Sequence, residues 1–144
     1  MMGIKRTPAD AAFSNCVRYR VDYCCEVCGR DYPDSSTRMG LHCSHLFGRR
    51  NYSVRFDPRN AFSHCYSCHK HFSENPVEFH LWARAQIGEG AIALLRERMN
   101  DHNLGKSVRK NLKEVAAHFR GELDRMAKLR SRGKKGHIEF VGYA

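Results

Sequence analysis

Cys25-Glu-Val-Cys28 and Cys65-Tyr-Ser-Cys68-His69 enclose a stretch that carries His42-Cys-Ser-His45 and Asp57-Pro-Arg-Asn60, and the reading of this stretch decides the fold. Each Cys-x2-Cys knuckle presents two thiolates at a tight turn, and two knuckles complete the tetrahedral shell of one Zn2+. Cys25, Cys28, Cys65 and Cys68 are therefore the expected ligands of a structural zinc. Cys24 leaves a one-residue ambiguity in the first knuckle, but only Cys25 keeps the x2 spacing of the second. Cys16 and Cys43 are spare as well, and read as ordinary buried cysteines. Seven cysteines are an odd number, and the N-terminus Met-Met-Gly-Ile-Lys-Arg lacks a signal-peptide core. Both features point to metal in a reducing compartment rather than to disulfides.

Outward from the knuckles, 144 residues make a single-domain length with room for one modest core, which a metal staple would help. The expected division is a zinc-stapled core with an N-terminal helix over 1–88 and a basic helical extension and tail over 89–144, in one compact unit. A formal charge of +10 and a pI near 9.5 call for a polyanionic partner, and nucleic acid suits better than membrane. No apolar run approaches the ~18 residues of a membrane span, so a cytoplasmic location is expected.

Local patterns fill in the elements. Thr7-Pro8-Ala9-Asp10 starts a helix that should run from Pro8 to Arg20, with Ala12, Phe13, Cys16 and Val17 facing the knuckles and Arg18 and Arg20 outward. Val21 to Cys24 reads as a short strand, and Asp31 to Ser36 as a loop. Met39 to Phe47 reads as a strand with Leu41, Cys43 and His45 on one side and His42, Ser44 and Leu46 on the other. His42 and His45 would then serve one metal only if the strand bulged. Gly48-Arg49-Arg50-Asn51 makes a basic turn, and Ser53 to Phe56 a return strand that closes a hairpin. Asn60 to Phe72 reads as a turn or helix carrying the second knuckle. Helices follow over Pro76 to Ile87, stopped by Gly88, and over Ala91 to Asn100. From Lys106 to Arg130 the residues Val108, Leu112, Val115, Phe119, Leu123 and Met126 recur at steps of four and three, which describes one long amphipathic helix. A stripe of barely three heptads favours docking on the domain over a homodimer. The tail is a flexible basic segment, then a strand-like run from His137 to Tyr143.

Hydrolysis of a phosphodiester needs an activated water, a cation on the developing charge, and help for the leaving oxygen. His45 is the candidate general base, because an imidazole is largely neutral at pH 7. His69 follows Cys68 directly, so the knuckle would aim it, and it is the candidate ligand for Mg2+ or Mn2+. The Asn60 amide would tie the second knuckle to the hairpin. Arg49, Arg50 and Arg55 could clamp a phosphate. Arg130, Arg132, Lys134 and Lys135 would contact DNA farther out.

The ordered set His45, Asn60 and His69 resembles the His-Asn-His (HNH, or ββα-metal) endonucleases. Leu41-His-Cys-Ser-His-Leu-Phe-Gly-Arg49, Arg55-Phe-Asp-Pro-Arg-Asn-Ala-Phe62 and His64-Cys-Tyr-Ser-Cys-His69, with Lys5 to Asp10 and Asn75-Pro76, look like the NinG (Rap) recombination proteins of lambdoid phages. The resemblance implies an α+β fold, in which a small ββα-metal core carries a four-cysteine zinc site between an N-terminal helix and C-terminal helices. It also implies a metal-dependent endonuclease acting on branched DNA such as Holliday junctions or D-loops, leaving 5′-phosphate ends, alongside phage recombination proteins in the bacterial host. By position His45 matches the general base, Asn60 the middle asparagine, His69 the metal position, and Cys25, Cys28, Cys65 and Cys68 the zinc ligands. One position departs from the pattern: many HNH enzymes carry an acid or histidine ligand directly before the base, and here that residue is Ser44. His42 could replace it. A zinc-dependent DNA-binding accessory without catalysis and a general HNH nuclease are the alternative readings.

Overall fold

The computed structural model describes residues 4–32 and 40–144. Most of the loop expected from Asp31 to Ser36 and the expected strand start at Met39 lie outside the described residues. The fold is α+β, with a two-stranded antiparallel sheet among helices.

Helix α1 (Pro8–Arg20) begins on a reciprocal cap: the Asp10 N–H donates to Thr7 Oγ1 at 3.3 Å and the Thr7 N–H donates to Asp10 Oδ2 at 2.8 Å. It buries Ala9, Ala12, Phe13, Cys16 and Val17, as its periodicity predicts. Arg18 and Arg20, expected outward, are both buried. Arg20 donates to the Pro58 and Ala61 carbonyls, each at 2.8 Å, and so holds α1 to the sheet. The strand expected over Val21 to Cys24 is absent. Asp22 and Tyr23 have φ of +53° and +60°, and their N–H groups turn back to the Tyr19 and Arg18 carbonyls, so only Cys24 forms a bridge, with Asp31.

Strand β1 (Leu41–His45) pairs with β2 (Ala61–Cys65), not with Ser53 to Phe56. The latter stretch is a helical turn, α2 (Tyr52–Arg55). Ser53, Val54, Arg55 and Phe56 are all buried, and four consecutive inward residues suit a turn enclosed by its neighbours better than a strand of period two. A 3-10 turn, Pro58–Asn60, capped by Asp57, leads into β2. The register runs one to one from Leu41↔Cys65 to His45↔Ala61, so β1 carries no bulge. Helix α3 (Tyr66–Glu74) follows β2 directly, with the Cys65 sulfur accepting from the Cys68 N–H.

Helix α4 (Pro76–Met99) contains both helices expected there, with Gly88 as the joint at φ +86° and ψ 158°. Arg96 reaches His80 at 3.3 Å across this joint, whereas sixteen residues of straight helix would span about 24 Å. The long helix expected over 106–130 is two, α5 (His102–Lys110) and α6 (Leu112–Ser131), broken at Asn111. The apolar stripe keeps its phase through the break, so its periodicity conceals it. Val108, Val115, Phe119 and Met126 are buried within this chain, with α6 lying along α1. Phe13 is the hub of that core, 5.1 Å from Phe119 and 5.9 Å from both Phe56 and Phe140 between ring centroids. Phe140 and Ile138 belong to the tail, which is irregular rather than a strand; its Ile138 N–H donates to the Arg20 carbonyl at 3.0 Å. A second, smaller core of Phe62, Phe72, Phe79 and Ala83, with the partly buried Trp82 packed against it, fills the space between the opposite sheet face and helices α3 and α4. No helix among the described residues is long and apolar enough to cross a membrane.

Candidate functional site

The four cysteines of the two knuckles meet. The sulfurs of Cys25, Cys28, Cys65 and Cys68 all lie within 4.8 Å of one another, and Cys28 and Cys65 are 3.8 Å apart. Thiolates at about 2.3 Å from a tetrahedral zinc are about 3.8 Å apart, so the donor set fits Zn2+. Each knuckle has its own support. Gly29, at φ +75°, closes the first by donating to the Cys25 carbonyl, and Glu26 clasps the free edge of β2: its N–H donates to the Ser63 carbonyl at 2.8 Å and its carboxylate accepts from the Ser63 N–H at 2.7 Å. The second knuckle is the first turn of α3. Burial raises the Cys25 thiol, but the N–H groups of Cys28, Cys65 and Val27 outweigh it and bring it down to about 7. Cys24 lies outside the cluster, while Cys16 and Cys43 have thiols pushed up to about 12 by burial and are inert.

A cleft of about 680 Å3 runs along the outer edge of β1, between α1 and α3. His42, His45 and His69 all line it. A regular strand sends His42 and His45 to opposite faces, yet both reach the cleft because β1 is an edge strand; no bulge is involved. Arg6, Arg18 and Arg49 add cationic side chains to the walls and Asp10 a carboxylate.

His45 lies 3.0 Å through Nε2 from the Arg55 carbonyl. A carbonyl only accepts, so Nε2 carries the proton and Nδ1 the lone pair. Burial pushes the imidazole down to about 4, against the pull of that carbonyl, and the ring is neutral at pH 7. Asn60, fully buried, fixes the loop that supplies the carbonyl. Its Nδ2 donates to Phe47 O at 2.9 Å and Val54 O at 3.0 Å, while its Oδ1 accepts the Phe47 N–H at 2.8 Å. His42 and His69 stack in parallel with centroids 5.0 Å apart. Burial lowers both rings, aided by Arg18 for His42 and by His42 for His69. His42 Nε2 is buried without a hydrogen-bond partner among the described residues, a lone donor atom of the kind a cation would use. Among those residues only the cysteines gather three or more His, Cys, Asp or Glu ligand atoms within 4.8 Å, so a second ion at His69 and His42 would find no third such side chain that close. Such a sparse set fits a hard ion that keeps most of its water.

The arginines divide. Arg49 lines the cleft and Arg50 is exposed. Arg55, expected at a phosphate, is fully buried and is withdrawn from that role: Nε donates to Asp10 Oδ1 at 3.0 Å and Nη2 to Asp10 Oδ2 at 2.7 Å. Arg130 is likewise turned inward, donating to the Tyr19 carbonyl at 2.8 Å with its guanidinium 5.0 Å above the Tyr19 ring. Arg132, Lys134 and Lys135 are exposed.

Sequence reasoning missed the second part played by Asp10, which reads as a helix cap alone, and the pairing of Ser44 with two histidines. Ser44 Oγ lies 2.7 Å from His69 Nδ1 and 2.9 Å from His64 Nδ1. The strand parity that puts His42 and Ser44 on one side was the available signal.

A family model described as Bacteriophage Lambda NinG protein matches residues 7–129. Among curated proteins and among solved structures nothing matches.

Proposed function

The chain belongs to the phage lambda NinG family, over a span that runs from the cap of α1 into α6, and from that premise we propose that it is a metal-dependent DNA endonuclease cutting branched intermediates of phage recombination. The observation that carries the reading is His45: a neutral imidazole in the wall of an arginine-lined cleft, with one nitrogen committed to the Arg55 carbonyl and the other carrying the lone pair.

In this reading His45 Nδ1 takes a proton from the water that attacks the phosphorus. The Arg55 carbonyl holds the Nε2–H tautomer throughout, and Asn60 holds the carbonyl by closing the loop from Phe47 to Val54. Arg6 and Arg49 face the phosphate as cations, with Asp10 limiting the reach of Arg49, whose Nη1 is 3.9 Å from its carboxylate. Mg2+ or Mn2+, held by His69 with His42 beside it, would supply charge for the developing dianion and the leaving oxygen. The zinc site fixes α3 against β2, and so fixes His69.

The test compares a synthetic four-way junction with a linear duplex of the same sequence, in Mg2+, in Mn2+ and in EDTA, using wild type and His45→Ala. The expected result is ion-dependent junction cutting that drops by about 10²- to 10⁴-fold in the variant, with zinc content and DNA binding kept. Retained cutting in His45→Ala removes that residue from the mechanism. Equal cutting of both substrates leaves a general nuclease, and tight junction binding without cutting under any ion leaves a DNA-binding accessory.

A further inference from the structure

Ser44 is buried on the sheet face beneath α3, between two histidines. Its hydroxyl oxygen lies 2.7 Å from His69 Nδ1 and 2.9 Å from His64 Nδ1. A hydroxyl has one hydrogen and two lone pairs, so Ser44 can donate to only one of these nitrogens but can accept from either or both. Three polarities make both bonds: His69 donates to Ser44 and Ser44 to His64, the chain runs in reverse, or both histidines donate to Ser44.

The far end of His64 decides between them. His64 is fully buried, and its Nε2 has no hydrogen-bond partner among the described residues. Its ring is near-perpendicular to those of Trp82, Phe72 and Phe79, at centroid distances of 4.9, 5.4 and 5.7 Å. Aromatic faces are negative and attract an N–H, while they offer nothing to a lone pair. A proton on His64 Nε2 suits this aromatic cage better than a lone pair does, and it makes His64 Nδ1 the acceptor. Ser44 then donates to His64 and accepts from His69 Nδ1–H. The lone pair of His69 is left on Nε2.

We infer that the chain His64–Ser44–His69 fixes the tautomer of His69, so that its Nε2 lone pair is the one offered to a divalent cation at the cleft. Ser44 and His64 are positioning residues, and the inference rests on the proposed reading of His69 as a cation ligand. It also accounts for the position where the HNH resemblance leads one to expect a ligand. Ser44 supplies no ligand there; it orients the lone pair of the next one.

The direct test is a two-bond 1H–15N correlation spectrum of the imidazoles in the zinc-loaded full chain at neutral pH, with no other divalent ion. His69 is expected as the Nδ1–H tautomer and His64 as the Nε2–H tautomer. The reverse pair, or a tautomer mixture at His69, overturns the inference. A second measurement follows Mn2+ binding by electron paramagnetic resonance. Ser44→Ala should give mixed tautomers at His69 and an affinity lower by about tenfold, while Ser44→Thr, which keeps the hydroxyl, should remain near wild type. An unchanged affinity in Ser44→Ala, or a wild type that binds no Mn2+, also overturns it. Neither readout requires cleavage. The expected tautomers and Mn2+ response in a chain that cuts no DNA would support the relay and reject the nuclease.

Discussion

Arg55 and Asp10 stand 45 residues apart in the chain and meet through two charge-assisted hydrogen bonds largely shielded from water. The same carboxylate caps α1, so the pair joins the start of that helix to the loop between the strands. Burial alone would raise the Asp10 carboxyl, but the Arg55 and Thr7 donors overcome it and hold the group below the usual carboxylate range. Its contribution to stability is thus complete above the unfolded carboxyl value and is lost as pH falls through the lower folded one. Asp10→Ala leaves the Arg55 charge buried without its partner. Urea denaturation at pH 7 should show a loss of about 3–5 kcal/mol, and a loss typical of surface sites, under about 0.5 kcal/mol, would contradict the assigned role. Sequence spacing finds ligands that are local, such as the knuckle cysteines, because turn geometry links two residues apart by x2. It cannot tell an arginine aimed at a phosphate from one aimed at a carboxylate far upstream, and for that reason Arg55 and Arg130 looked like DNA contacts.

Among the elements, those with local punctuation were legible and those defined by long-range enclosure were not. The Thr7-Pro8-Ala9-Asp10 cap located α1, and Asn75-Pro76 and Gly88 located both halves of α4. Strand β2 was hidden because all five of its residues are buried, leaving no alternation to read. The helical turn α2 took the place of the expected return strand because Asn60 and Asp10 draw Val54 and Arg55 inward. At Gly88 the φ and ψ of +86° and 158° fall where only glycine is comfortable, and a Cβ there would meet nothing within 4 Å. Gly88→Ala should therefore cost about 1–3 kcal/mol through the backbone alone. Gly90, in the helical segment just beyond and equally open, is the control. Gly90→Ala should be neutral or stabilising by up to about 1 kcal/mol. Thermal unfolding of the two variants side by side checks the sign, and destabilisation by both would mean that the joint is not what Gly88 provides.

For the whole molecule, the charge of +10 is unevenly committed. Arg20, Arg55 and Arg130 are spent inside, whereas Arg132, Lys134 and Lys135 are exposed on the segment after α6. Removing everything after Leu129 would strip Ile138 and Phe140 from the core as well as the charge. Replacing Arg132, Lys134 and Lys135 by Gln separates the two effects. If these side chains neutralise phosphates, the slope of log binding constant against log salt should become shallower by about 0.9 for each phosphate left without its cation on duplex DNA. Binding titrations across a salt series measure it, and an unchanged slope marks the segment as solvated charge.

The same tail has a consequence for the making of the protein. Cys16 finds its partner carbonyl on Phe119, 103 residues later, and Phe13 finds one of its aromatic neighbours only at Phe140. At translation rates of about 5–20 residues per second, α1 waits on the order of ten seconds outside the ribosome before its core can close. The cysteine knuckles, which could hold a metal ion, emerge well before that. Metal capture can thus organise the middle of the nascent chain while α1 is still waiting for Phe119 and Phe140.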